Sequence, residues 1–209
     1  MRLIFLGPPG AGKGTLSTLA KEHLGIPHIS TGDLFRAAIK QGTLLGRQVQ
    51  EIVSTGGLVP DELTVAIVRE KLDSPEVAKG FILDGFPRTV KQAEALSSFC
   101  KLDHVISFDL AREELLQRLG GRLVCKNCGA VYHRVNRPPK VEGVCDLCGG
   151  VVAVRPDDEP EAIVRRLDLY DEQTAPLLDY YQQKNILRRL DASPAPEVVL
   201  ESLLAIIQA

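Results

Sequence analysis

The sequence predicts an α/β fold, a five-stranded parallel sheet with helices on both faces, and three observations carry that expectation. Short apolar runs at Leu3–Leu6, Phe81–Leu83, His104–Phe108 and Ile186–Leu190 alternate with longer stretches of helical period. A glycine-rich turn follows the first run directly and leads into a helical one. The 209 residues, 44% hydrophobic and 25% charged, suffice for one substantial core with small insertions.

Taken in order, the first strand (Leu3–Leu6) is followed by the turn and a helical run over Leu16–Leu24, and a further short strand around Pro27–Ile29 makes the fifth. Thr31 to Pro60 then reads as helical twice over with no strand, broken by Gly42 and Gly56-Gly57, and is expected to be a small helical insertion. From Gly121 to Pro156 the composition shifts, with Cys, Gly, Val and Pro replacing the Leu and Ala of the flanks, which predicts a short β-rich module. One helix is expected from about Glu161 to Gln183, where Ile163, Leu167, Tyr170, Thr174, Leu177 and Tyr181 recur in steps of four and three, with Pro176 bending it. Val199, Leu203 and Ile206 keep the same period and predict a closing helix.

A net charge of −2, from 25 basic and 27 acidic residues, gives no global attraction to nucleic acid or an anionic membrane, so any anion site is local. No apolar run approaches the roughly 18–20 residues of a membrane span, and the opening Met-Arg-Leu-Ile-Phe-Leu reaches Gly7 too soon for a signal segment. A cytoplasmic location is expected.

The turn reads Gly7-Pro8-Pro9-Gly10-Ala11-Gly12-Lys13-Gly14-Thr15. Glycines let backbone N–H groups converge on phosphate oxygens, the following helix N-terminus adds partial positive charge, and Lys13 can reach the β- and γ-phosphates. Thr15 is placed to bind Mg²⁺. Gly14 stands between the lysine and the threonine, a spacing similar to the nucleoside monophosphate kinase form of the loop.

Four of the five cysteines form two C-x-x-C pairs, Cys125/Cys128 and Cys145/Cys148, sixteen residues apart, the spacing of a tetrahedral zinc ribbon. All four ligand positions are filled, so the metal is expected to be structural, substituting for the core that about 35 residues cannot build. Two disulfides are the alternative, and spacing alone leaves iron–sulfur ligation open. His133, near the ribbon, is expected to be an exposed residue rather than a ligand; His23, His28 and His104 show no partner pattern.

Thr31-Gly32-Asp33-Leu34-Phe35-Arg36 opens the helical insertion, Asp84-Gly85-Phe86-Pro87-Arg88 follows the Phe81–Leu83 strand, and Gln92 lies one helical turn beyond Arg88. Ligands of parallel sheets sit at the carboxyl ends of strands, where the glycine-rich loop and Asp84 to Arg88 both fall, so two arginines from separate segments flank one anion. Asp84, at the end of a buried strand, needs a partner, and its expected task is to orient waters on Mg²⁺.

With Gly57-Leu58-Val59-Pro60-Asp61-Glu62, these motifs occur in an order that resembles the long-lid, zinc-bearing adenylate kinases over essentially the whole chain. The resemblance implies a P-loop NTPase-type core, residues 1–30, 60–120 and 157–209, with an NMP-binding insertion at 31–59 and a zinc-ribbon-like lid at 121–156. It implies reversible Mg²⁺-dependent phosphoryl transfer between ATP and AMP giving two ADP, by a monomer with no nucleic-acid or membrane partner. ATP would be held by Gly10, Ala11, Gly12, Lys13, Gly14, Thr15, Arg118, Arg122, Val131, Tyr132 and Pro194, near the Asp191-Ala192-Ser193-Pro194 turn. AMP would be held by Thr31, Arg36, Gly57, Leu58, Val59, Gly85, Phe86, Pro87, Arg88, Gln92, Arg155 and Arg166. Lys13, Arg88, Arg122, Arg155 and Arg166 would be catalytic, and the lid would close about hinges at Gly120-Gly121 and Pro156–Pro160. Two other readings stand beside it: a nucleoside monophosphate kinase using a GTP donor or a UMP or CMP acceptor, and a zinc-ribbon nucleic-acid module on an NTP switch, against which the near-neutral charge argues.

Overall fold

A computed structural model describes residues 1–208. Strand β1 (Arg2–Leu6) leads through the glycine-rich loop into α1 (Lys13–Leu24), β2 (His28–Ser30) and the helices α2 (Thr31–Lys40), α3 (Leu44–Ser54) and α4 (Asp61–Leu72). Then follow β3 (Phe81–Asp84), α5 (Val90–Phe99), β4 (His104–Asp109) and α6 (Arg112–Gly120). A second region holds β5 (Arg122–Cys125), β6 (Val131–His133) and β7 (Val152–Ala153), and the chain closes with α7 (Pro160–Leu169), α8 (Pro176–Gln183), β8 (Leu187–Asp191) and α9 (Pro196–Gln208).

Five strands form the expected parallel sheet in the order β2-β3-β1-β4-β8. Their side chains alternate between two apolar cores: Leu3, Phe5, Ile82, Ile106 and Phe108 meet α1, α6 and α9 on one face, while Ile4, Leu6, Leu83 and Val105 meet α4, α5 and α8 on the other. Because both faces are covered, polar function is left to the strand ends. Register sets Phe5 beside Asp84 and Leu6 beside Ser107, so β1, β3 and β4 end together beneath the loop.

Two sequence expectations change. The helix expected over Glu161–Gln183 is α7 and α8 joined by a π-turn at Tyr170–Thr174, in which Ala175 N donates to the Tyr170 carbonyl at 2.8 Å. Pro176 has no N–H to continue the ladder, and the widened turn accommodates it. In α9 the buried positions are Val199, Leu203 and Ile207, with Ile206 only partly covered.

The insertion of α2 and α3 has its own small cluster, Phe35, Val49 and Val59. Ser30 and Thr43 cap the two helices by accepting from Asp33 N and Gly46 N. Gly46 is required where they cross, since a Cβ there would sit 2.1 Å from the Ala38 carbonyl oxygen. The region from β5 to β7 is a three-stranded antiparallel sheet ordered β6-β5-β7, whose small apolar cluster is Cys125, Tyr132, Cys145 and Val152, with Leu123 and Ala130 against it.

Candidate active site

The glycine-rich loop spans Gly7 to Gly12 at the carboxyl end of β1. Gly10 and Gly12 adopt φ of +86° and +89°, the left-handed region that side chains resist, and Gly12 caps α1. Gly14 differs: its φ is not in that region and a Cβ would meet nothing within 4 Å, so neither backbone nor packing demands glycine there. Lys13 folds back over the loop, its Nζ donating to the Gly7 and Pro8 carbonyls at 2.7 and 2.9 Å. Burial pushes its pKa down to about 8; Asp84 opposes that, while Arg88, Arg166 and Arg122 add to it by repulsion.

Asp84 is raised by burial, but His28, Lys13 and Arg88 outweigh this and hold its carboxyl below the usual range. His28, whose sequence context shows no partner, therefore has one: Nε2 lies 3.7 Å from Asp84 Oδ2, beyond hydrogen-bond reach but within ion-pair distance. The signal is the β2–β3 register, which only the assembled sheet supplies.

A second pocket opens between α2, α3 and the end of β3. It is lined by Thr31, Arg36, Gly57, Leu58, Val59, Gly85, Arg88, Gln92 and Arg166, and also by Phe35, Val53, Gly56 and Thr64. Arg88 Nε donates to the Gly85 carbonyl at 2.9 Å, the same oxygen that receives the Thr31 hydroxyl at 2.8 Å. Burial, then repulsion from Arg166, pushes Arg88 down to about 10, so it remains charged at neutral pH. Its carbonyl accepts from Thr174 Oγ1 at 2.8 Å, which ties the arginine to the π-turn. Phe86 and Pro87, joined by a cis peptide bond, are buried instead, and Phe86 belongs to the sheet core and does not line the pocket.

Arg122, Arg155 and Arg166 converge from the base of the β5–β7 region and from α7. Two aspartates not singled out from the sequence organise them. The Asp158 side chain, with no exposed surface, pairs with both Arg122 and Arg166, and Asp157 Oδ2 lies 3.1 Å from Arg166 Nη1. Arg155 is pushed down to about 10 by burial and by the neighbouring Arg36 and Arg122. The Asp-Asp pair between Pro156 and Glu159 looks like ordinary turn composition, so only the folded chain shows its use. Arg118 reaches Glu114 and the Ser193 carbonyl, placing it beside the exposed turn that carries Pro194. Lys40 of α2 meets the Lys126 carbonyl at 3.5 Å, so the two insertions touch over the sheet end.

The four cysteine sulfurs lie within 4.8 Å of one another. The pairs Cys125/Cys148 and Cys128/Cys145 are each 3.5 Å apart. A disulfide needs about 2.05 Å. Tetrahedral zinc with bonds of about 2.3 Å sets its sulfurs about 3.8 Å apart. The spacing therefore fits a structural zinc site. Donors surround it: Asn127 N lies 3.4 Å from Cys125 Sγ, and the Tyr132 hydroxyl 3.4 Å from Cys145 Sγ. Gly129 and Gly149 take φ of +78° and +70° after the second cysteine of each pair. Tyr132 thus points into the ribbon, while Val131 is exposed. His133 is no ligand, nor is it simply an exposed residue: Nδ1 accepts from Val135 N and Asn136 N, and Nε2 faces the Gln117 carbonyl at 3.3 Å, fastening the ribbon to the end of α6.

A phosphate-binding loop on one side of the strand ends, an arginine-walled pocket on the other and a four-cysteine ribbon with zinc-site spacing beside them define a P-loop phosphotransferase for two phosphate-bearing substrates. The family model described as adenylate kinase matches residues 5–186. The chain is 54% identical over 202 residues to an adenylate kinase of Treponema denticola, covering 97% of each chain. It is 53% identical over 206 residues to one of Moorella thermoacetica, covering 96% of this chain and 95% of that protein. The chain belongs to the adenylate kinase family, and its activity is reversible phosphoryl transfer between ATP and AMP.

Proposed function

We propose that the loop from Gly10 to Thr15 holds the ATP phosphates, that Arg118, Val131, the Tyr132 backbone and Pro194 border its nucleoside, and that the pocket from Thr31 to Gln92 holds AMP. The observation that carries this division is the cluster of cations between the two sites: Lys13, Arg88, Arg122 and Arg166 sit close enough to repel one another. Such a cluster stores unfavourable charge that a bridging polyphosphate relieves. The backbone N–H groups of the Gly10–Thr15 turn, and the Lys13 ammonium once it leaves the Gly7 and Pro8 carbonyls, are the donors that would meet the phosphate oxygens.

The nucleophile is an oxygen of the AMP phosphate, already anionic near neutral pH, so no general base is needed. Arg36 and Arg88 orient that phosphate. Arg122, Arg155 and Arg166, with Lys13, stabilise charge on the transferred group as the bond to the ADP leaving oxygen breaks. Thr15 and, through water, Asp84 would hold Mg²⁺, which when bound neutralises charge on the β- and γ-phosphates.

The moving parts are read as a core of 1–30, 60–120 and 157–209, an NMP-binding insertion of 31–59 and a lid of 121–156 that carries zinc. The separate apolar clusters of the two insertions support this division. Both nucleotide sites are built from one chain, which supports a monomer. Among the described residues no helix is long and apolar enough to cross a membrane, and a cytoplasmic location fits the reading.

Calorimetry with ATP and AMP added separately should show one site for each. Arg88→Ala should lower turnover by about 10³-fold, with a small change in melting temperature because Arg88 has no carboxylate hydrogen-bonded to it. A single shared nucleotide site, or near-normal turnover in that variant, would overturn the assignment.

A further inference from the structure

Gln92 lines the second pocket, yet it is buried and its side-chain amide is gripped from two sides. The backbone N–H of Arg88, which can only donate, reaches Gln92 Oε1 at 2.8 Å. The Asp61 carboxylate, which can only accept, receives Gln92 Nε2 at 2.7 Å on Oδ1. The two neighbours therefore demand the same orientation. A flipped amide would set C=O against carboxylate and NH₂ against N–H, losing two bonds and creating two repulsions in a buried place. Asp61 is itself secured, because Thr89 Oγ1 donates to Oδ2 at 3.1 Å while capping α5 through Gln92 N. Asp61 does not line the pocket; it stands behind Gln92 at the first residue of α4.

An amide has two acceptor and two donor positions, so one lone pair on Oε1 and one hydrogen on Nε2 remain uncommitted. The Thr31 hydroxyl spends its hydrogen on the Gly85 carbonyl, which leaves it only able to accept. The pocket therefore offers a base edge acceptors from Gln92 and Thr31 and a single donor from Gln92. A 6-aminopurine presents an amino donor beside the N1 acceptor, which matches. A 6-oxopurine presents an oxygen acceptor beside an N1 hydrogen, which opposes the pattern at both atoms.

We infer that Asp61 is a positioning residue that sets acceptor-base specificity, locking the Gln92 amide so that the pocket takes a 6-aminopurine and rejects a 6-oxopurine. The inference rests on the reading of this pocket as the AMP site. A site built to hydrogen-bond one pattern rejects the reverse strongly, because its buried groups are left unpaired.

The test compares kcat/KM for AMP and for inosine monophosphate, with ATP saturating, in the native enzyme and in Asp61→Asn. Asparagine keeps the shape but can either donate or accept, so the flip becomes cheaper. The AMP preference should narrow by about tenfold or more, through a higher KM for AMP and a lower one for inosine monophosphate. The kcat at saturating AMP should stay within about threefold. A merely structural role would lower both substrates in proportion, and an unchanged ratio overturns the inference. Gln92→Ala separates the two levels. If it leaves the ratio unchanged, Gln92 does not meet the base and the AMP-site reading fails; if it collapses the ratio while Asp61→Asn does not, only the role of Asp61 fails. In the native protein, one Gln92 Nε2 proton should be protected from exchange by NMR, and fast exchange of both would also overturn the lock, whatever the variants' stability.

Discussion

The sheet core and the cysteine ribbon are held together by opposite means. The core buries two large apolar clusters, including Leu3, Ile82, Leu96, Val105, Leu177 and Leu203 with no exposed surface. The ribbon buries two cysteines, a tyrosine and two valines, and it leaves Val135, Val141, Leu147 and Val151 exposed. At about 25 cal/mol per Å² the core can fold on burial alone, whereas the ribbon cannot offset the entropy of ordering its chain without ligation. One part of the molecule can therefore be switched off without unfolding the other, and Arg122 and Arg166, paired with Asp157 and Asp158, stand at the join.

Metal removal should break this comparison most visibly. Structural zinc supplies on the order of 10 kcal/mol of folding energy in small domains. Chelation should abolish hydrogen-exchange protection over β5, β6 and β7 while leaving β1, β3 and β4 protected, and turnover should collapse with the ribbon. Cys145→Ser should reproduce the effect, since it removes a ligand and the partner of Tyr132. Uniform loss of protection, or none, would mean that the two regions share one source of stability.

The next effect lies at the join. Arg166 pairs with Asp157 and with the fully enclosed Asp158, which it shares with Arg122. Removing one partner of a buried pair typically costs 3–5 kcal/mol because the other charge is left uncompensated. Arg166→Ala should therefore lose turnover and roughly 3 kcal/mol of stability together, unlike Arg88→Ala. Differential scanning calorimetry on both variants reads the contrast, and equal melting temperatures would show that the aspartates do not anchor the join.

How much of this was legible in the chain follows from how local each signal is. The five strands, the glycine-rich loop and the paired cysteines announce themselves within a few residues, since each depends on spacing and backbone conformation. Of the AMP-side residues named from the resemblance, Thr31, Arg36, Arg88, Gln92 and Arg166 come together around one pocket, while Phe86 is buried in the core and Arg155 stands outside the lining. Asp61, Asp157, Asp158 and His28 were not legible as partners. Each acts on a residue brought near only by folding, and an aspartate in a Pro-Asp turn carries no mark of the amide or guanidinium it will meet.

Lys13 gives the smallest effect and the sharpest view of the two regions acting together. Its pKa is pushed down to about 8, by burial first and then by repulsion from Arg88 and, from the side of the join, Arg166 and Arg122. Between pH 8 and 9 the folded protein without nucleotide loses this proton while the unfolded chain keeps it, so the unfolded state binds more protons and stability should rise with pH. Phosphate binding needs the charge back, so the KM for ATP should rise over the same interval, by up to about tenfold per pH unit above the pKa. The two trends thus run in opposite directions. Initial rates and thermal melts at pH 7.5 and 9 measure them, and Lys13→Met should remove both. A stability that fell with pH, or a KM for ATP that stayed flat, would show that Lys13 keeps its proton through this range.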